Sequence, residues 1–227
     1  MYGNEKKSNG SRFLIILSNT MILIVVGWLY FGGGGQWISD LFNLGLVVAN
    51  IQRLVLLFSC GIIYYIRLIY MLFGLLKREI KWGESIGVIF ALAFYQLGIA
   101  ITGVYQPFAL DIIDILPISM FILGSYLNTY SEYQRFQFKK SPENKGKLYT
   151  KGLFKYAQHI NYFGEFIWIF GFALITRNPW SLIMPLACTL NFIFFHIPML
   201  DKYLAKKYGD EYEEWNENTK KFIPLIY

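Results

Sequence analysis

Charge is what this chain has least of. Only 16% of its 227 residues are Asp, Glu, Lys or Arg, against 55% hydrophobic and 19% aromatic, and the mean hydropathy is +0.39. Soluble domains carry about a quarter charged residues, so an ordinary fold in water is excluded and an integral membrane protein is expected. Cysteine is nearly as scarce. Cys60 and Cys188 both sit in apolar runs, which leaves no disulfide framework and no CxxC metal site, and reads as two buried thiols. Missing too are GxSxG, HExxH and a GxGxxG behind a strand pattern, so hydrolytic and metal-dependent chemistry lack their usual signatures. Gly32 to Gly35 form a run of glycines with no GK[ST] after it, a turn rather than a phosphate loop. The net charge of +6 lies between the apolar segments and near the ends, where it serves topology and meets anionic headgroups or phosphates. Nucleic acid is not an expected partner.

What the chain has in quantity is apolar helix. A bilayer takes about 20 helical residues to cross, and segments 13–31, 51–76, 85–104, 108–127, 162–176 and 180–198 approach or meet that length. The expected fold is all-α, a polytopic membrane bundle of about six transmembrane helices. A seventh would need the moderately apolar 37–50 segment, which reads instead as a short interfacial helix. The run after MYGNEKKSNGSR exceeds a signal-peptide core and lacks a small-x-small cleavage site, so it reads as a retained first helix. Asp111 and Asp114 are expected to cap the fourth span near its dipole-favoured start, Pro117 to kink it, and Arg53 to anchor the second span at the interface. Arg67, within YYIRLIYMLF, either faces the protein interior as a functional group or snorkels to the surface. Lys and Arg place the N-terminus, the 77–81 loop, the 128–158 loop and the tail together, on the cytoplasmic side. The tail reads as a helix broken near Gly209, a second short helix and an aromatic-aliphatic end.

The organising stretch begins at Asn128, and the chain divides there into N-terminal membrane helices (1–127) and a C-terminal region (128–227). Between 128 and 158 stand Arg135, Lys139, Lys140, Lys145, Lys147, Lys151 and Lys155 against Glu132 and Glu143, and His159 and Asn161 follow. Such a loop is suited to something anionic. Amide, guanidinium, ammonium and phenol groups at the mouth of a bundle fit a bound cofactor that brings its own chemistry. Arg135 and nearby lysines are suited to a pyrophosphate or 2′-phosphate, Asn161 to a carboxamide or adenine edge, and a held tyrosine to proton donation. Asn161 and Glu165, four apart, share a helical face; Gly164 between them is suited to close helix packing.

Ser131-Glu132-Tyr133-Gln134-Arg135, Asn144-Lys145-Gly146-Lys147, Gly152-Leu153-Phe154, Tyr156, His159 and Asn161-Tyr162-Phe163-Gly164-Glu165 resemble the DUF1295 group of membrane proteins, which belongs with the steroid 5-alpha-reductase C-terminal family. Asn128-x-x-Ser131-Glu132 and the FIPLIY tail carry the same likeness, and Tyr64-x-x-Arg67 resembles the tyrosine-arginine pair of those reductases. The resemblance implies an all-helical membrane reductase that takes NADPH from the cytoplasm and reduces the C=C bond of an enone-type lipid. It assigns cofactor binding to Asn128, Glu132, Arg135, Asn161 and Tyr162, with Asp201 and Tyr203 from the tail. Asn144, Lys145, Tyr156 and His159 join them as residues of the shared motifs. Tyr64, Arg67 and Glu165 are the catalytic candidates, and no metal is implied. Two features depart from the pattern. Gln158-His159-Ile160 stands where the group usually has Arg-His-Pro, and no glutamate before Tyr64 matches the one that pairs with the reductase tyrosine, so steroid specificity is not implied. Isoprenylcysteine and phospholipid methyltransferases share a related architecture, and S-adenosylmethionine-dependent methyl transfer to a lipid or isoprenylcysteine is the alternative. Asn161 with Glu165 favours reduction.

Overall fold

The computed structural model describes residues 8–227, so the charged head of the chain assigned above to the cytoplasmic side lies outside the described residues. Every regular element among the described residues is helical. The elements are α1 (Asn9–Phe31), α2 (Gly34–Leu41), α3 (Ile51–Ile69), α4 (Trp82–Gly103), α5 (Ile115–Lys140), α6 (Ile160–Ile175), α7 (Ile183–Asn191), α8 (Ile197–Tyr208) and α9 (Asp210–Asn218). Five stretches are long and apolar enough to cross a membrane, Asn9–Phe31, Ile51–Leu75, Trp82–Gly103, Ile112–Lys140 and Pro179–Tyr208, and the shorter Ile160–Ile175 is apolar too. This is the expected polytopic bundle. Phe90 is 73% and Phe195 71% exposed, as side chains facing lipid are.

The chain forms two compact units, Met1–Phe121 with Ile169–Pro185, and Ile122–Trp168 with Leu186–Tyr227. In the first, α1, α3 and α4 pack around Ile15, Leu54, Leu57 and Ile99. Arg53 is not the interface anchor expected of it: its side chain is fully buried. All five of its N–H donors are used, on both oxygens of Asp114 (2.8 and 3.0 Å) and on the carbonyls of Phe108, Ala109 and Ile175. Arg177 joins the same carboxylate at 2.9 Å and also grips Asp111. Complete satisfaction is what allows a guanidinium to be buried. Asp111 and Asp114 still cap, as expected, through a reciprocal capping box at the turn Ile112–Asp114.

Several boundaries move for local reasons. Residues 105–111 lie outside any helix, so the fourth span starts at Ile112 rather than 108. Pro117 falls in the first turn of α5, where its missing N–H has no intrahelical partner to lose, and no kink is needed. Past Gly124, no glycine or proline interrupts the chain before Pro142, so α5 continues through the polar stretch to Lys140 and the expected loop is helical from Asn128 to Lys140. Gly32 and Gly33 end α1, but Gly34 and Gly35 start α2 instead of lengthening the turn. A Cβ on Gly34 would strike the Trp28 ring at 2.6 Å, so the glycine run serves close approach as well as turning.

In the second unit α5 and α6 meet backbone to backbone. A Cβ on Gly164 would lie 2.5 Å from the Asn128 nitrogen, and one on Gly124 would lie 2.6 Å from the Gly164 carbonyl oxygen. The small-residue role of Gly164 is therefore realised. The Pro179–Tyr208 stretch contains a π-type turn at Phe192–His196. Pro198 follows two residues later, and its ring and missing N–H oppose regular α-helix four residues back; a wider turn takes up that mismatch. The tail is as read: α8 ends at Gly209, which has φ of +53°, and α9 follows.

Candidate functional site

The polar extension of α5 places Asn128, Ser131, Glu132 and Arg135 along one face by their three- and four-residue spacing. The start of α6 supplies the rest. Asn128 Nδ2 donates to the Asn161 carbonyl at 3.0 Å, and Asn161 Nδ2 donates to Glu132 Oε1 at 2.9 Å. The second carboxylate oxygen of Glu132 pairs with Arg135. Asn128 is 8% and Asn161 9% exposed, whereas the Arg135 side chain is 39% exposed, with its guanidinium over the Phe154 ring at 5.9 Å. Glu132 thus fixes a buried amide with one oxygen and an accessible cation with the other.

A second cluster grows from the same turn of α6. His159, 1% exposed, donates from Nε2 to Asp201 Oδ1 at 2.8 Å, and Lys221 binds Oδ2 at 2.9 Å. Burial first, then the nearby Asp201 carboxylate, push the Tyr212 phenol above its usual range. The Tyr162 ring stacks between His159 (centroids 5.8 Å) and Phe192 (4.9 Å), the latter delivered by the π-type turn. The tail seals this end. Gln158 N and His159 N donate to the carbonyls of Lys220 and Lys221, and Gln158 Nε2 reaches Thr219 O at 2.8 Å and Asn216 Oδ1 at 3.1 Å. Beneath lies an apolar cluster of Leu148, Phe154, Ala157, Ile160, Tyr212 and Trp215.

Other predicted residues make local contacts of their own. Asn144 turns back to the Phe138 carbonyl at 3.0 Å, Lys145 is exposed, and Tyr156 is 43% exposed beneath the Lys155 ammonium. The Tyr203 ring faces Lys207. Glu165 sits half-buried one turn beyond Asn161. Tyr64 and Arg67 belong to the first unit, where the Arg67 guanidinium lies 5.8 Å from the Tyr64 ring and Tyr64 meets Tyr95 edge to face. Two participants escaped the sequence reading. Gln134 Oε1 accepts from Leu153 N at 2.9 Å, and Gln158 turned out to be the tail clamp. The departure from Arg-His-Pro was the visible signal for Gln158; Gln134 had none beyond its place in the shared motif.

Fold and site together define a polytopic all-helical membrane protein with a polar cluster at one end of its C-terminal unit. Residues 85–219 match the family described as "Protein of unknown function (DUF1295)", and the chain belongs to that family. It is similar to the protein-S-isoprenylcysteine O-methyltransferase of Schizosaccharomyces pombe, 32% identical over 69% of this chain and 66% of the relative. It is also similar to the human 3-oxo-5-alpha-steroid 4-dehydrogenase 2, 32% identical over 52% of this chain and 44% of the relative. The protein-S-isoprenylcysteine O-methyltransferase of Saccharomyces cerevisiae is 27% identical over 52% of each chain. The chain thus spans between about two-fifths and two-thirds of the length of these relatives, whose names divide between two chemistries.

Proposed function

We propose that this protein is an integral membrane reductase that uses NADPH to saturate the C=C bond of an enone-type lipid. The observation that carries the reading is the division of Glu132 between Asn161 and Arg135. Such a carboxylate holds two unlike groups in register. The Arg135 guanidinium is suited to a phosphate oxygen, and the remaining amide functions of Asn161 to a nicotinamide carboxamide or ribose hydroxyl. Lys145, Lys147, Lys151 and Lys155 are exposed on the segment between α5 and α6, and their charge suits a polyphosphate better than S-adenosylmethionine, whose sulfonium is itself a cation. NADPH would supply the hydride equivalent when bound.

His159, Asp201 and Tyr162 are assigned to positioning. They fix the first turn of α6, and so Asn161, by hydrogen bonding and stacking. Tyr64 beneath Arg67 is assigned as proton donor, and Glu165 as an orienting carboxylate. The basic loop and tail are assigned to the cytoplasmic side, and thiol labelling at a cysteine in place of Lys145 and one in place of Asn178 should report opposite faces; equal accessibility would reject that orientation.

Methyl transfer is the second reading, favoured by the longer match to the S. pombe protein. Purified protein in detergent, given NADPH and a lipid enone, should consume reduced nicotinamide and yield the saturated ketone. Transfer of labelled methyl from S-adenosylmethionine to a lipid acceptor, with no NADPH consumption, would replace reduction by methylation.

A further inference from the structure

The first unit holds a polar layer that the proposed chemistry leaves unused. Asn19 on α1 and Gln96 on α4 are 0% and 3% exposed, near the middle of helices that are otherwise apolar and long enough to span a membrane. Gln96 Nε2 donates to Asn19 Oδ1. The other half of each amide, Asn19 Nδ2 and Gln96 Oε1, is buried with no hydrogen-bond partner. Turning both amides over again leaves one amide nitrogen and one carbonyl oxygen without a partner, so the imbalance belongs to the pair and not to its orientation.

A pair closed into a doubly bonded ring would engage both carbonyl oxygens and both amide nitrogens, whereas here one oxygen and one nitrogen have no partner. Buried polar groups in a membrane are expensive when unsatisfied and mark ligand paths when they persist. The same level of the bundle carries the candidate proton donor. Thr20, next to Asn19, hydrogen-bonds Tyr65 at 2.8 Å. Tyr95, next to Gln96, packs edge to face on Tyr64 with ring centroids 5.7 Å apart. Neighbours in sequence on α1, α3 and α4 therefore converge on one layer.

Building on the lipid-like substrate proposed above, we infer that Asn19 and Gln96 form a binding site for a hydroxyl that this lipid carries in addition to its enone. A hydroxyl is the small group that accepts from an amide N–H and donates to an amide carbonyl at once, satisfying Nδ2 and Oε1 with a single atom. A ketone or ether oxygen accepts only and leaves Gln96 Oε1 bare. Selection by a buried hydrogen-bonding site is strong because the analogue lacking the group strands the protein's own polar atoms.

The test uses the full chain in lipid nanodiscs and a diazirine-bearing long-chain primary alcohol as photoprobe. Labelling should map to α1 and α4, and the unlabelled alcohol should compete about tenfold or more better than its methyl ether. Equal competition by alcohol and ether, the result for an amide pair that holds only water or glues helices, would overturn the site. The Asn19→Leu/Gln96→Leu double variant removes both partners together and should abolish the discrimination; if it does not fold, the wild-type comparison decides alone. NADPH titration of the same nanodiscs separates the two proposals. Alcohol selectivity without nucleotide binding would sink the reductase reading and keep the amide site, whereas nucleotide binding without selectivity would do the reverse.

Discussion

Glu132 on α5 accepts a 2.9 Å hydrogen bond from the side chain of Asn161 on α6, and its other oxygen holds Arg135. One carboxylate thereby couples the order of a buried helix start to the placement of a half-exposed cation. Removing the amide should uncouple them. Asn161→Ala is expected to stay folded, since one buried hydrogen bond is worth about 1–3 kcal/mol, while NADPH affinity falls by about tenfold or more, equivalent to about 1.4 kcal/mol. Glu132→Gln, which keeps an acceptor for one partner, should lose less than Glu132→Ala. Unchanged NADPH affinity in Asn161→Ala, measured by titration in detergent, would remove Asn161 from the cofactor site.

The α5–α6 crossing makes a stability prediction independent of function. Gly164→Ala puts a methyl 2.5 Å from the Asn128 backbone nitrogen, a neighbour that cannot rotate away. Overpacking of this kind costs about 1–3 kcal/mol. Gly87, also helical, has nothing within 4 Å of a built Cβ, so Gly87→Ala should be neutral or stabilising by about 0.5–1 kcal/mol through helix propensity. Melting curves for the two variants should shift in opposite directions, and a Gly164→Ala protein as stable as the parent would contradict the close crossing.

Arg53 should be indispensable to the first unit. Arg53→Met leaves Asp114 with Arg177 alone and strands the carbonyls of Phe108, Ala109 and Ile175. Breaking a buried pair by deleting one partner costs about 3–5 kcal/mol, enough to exhaust much of a small protein's stability. Yield and monodispersity in detergent should collapse for this variant, and a variant that purifies like the parent would contradict this role.

Asp111 gives the pH dependence a sign. Its carboxyl is held below the usual carboxylate range, first by hydrogen bonds from Arg177 and then by the Ile113 backbone N–H. A group whose folded value is depressed stabilises the fold above its unfolded value and loses that contribution as pH falls through the carboxylate range and below. Acid titration of thermal stability should therefore show a limb that Asp111→Asn flattens; an identical limb in the variant would assign it elsewhere.

Much of this fold could be read from the chain because lipid imposes length and apolarity on each span. The helix break at Gly209 and the caps at Asp111 and Asp114 were legible for local reasons. The end of α5 was not. Polar residues from Asn128 to Lys140 resemble a loop by composition, yet they are adequate helix formers without a breaker, and the helix runs on until Ser141-Pro142. Arg53 was misread because a charge near a helix end has two solutions, and only the distant carbonyls of Phe108, Ala109 and Ile175 select burial. The polar cluster was legible where spacing or motif carried it, as in the mutual contacts of Glu132, Arg135 and Asn161. It was illegible where partners lie far apart in sequence, as with Gln158 and the tail, or Gln134 and Leu153.

The central proposal is that the α5–α6 mouth holds NADPH, and calorimetric titration of the purified chain in detergent tests it most directly. NADPH should bind with micromolar-class affinity, weaken as salt is raised, and lose about tenfold or more in Arg135→Ala. S-adenosylmethionine should give no heat. Binding of S-adenosylmethionine with no response to NADPH would contradict the account and assign the site to methyl transfer.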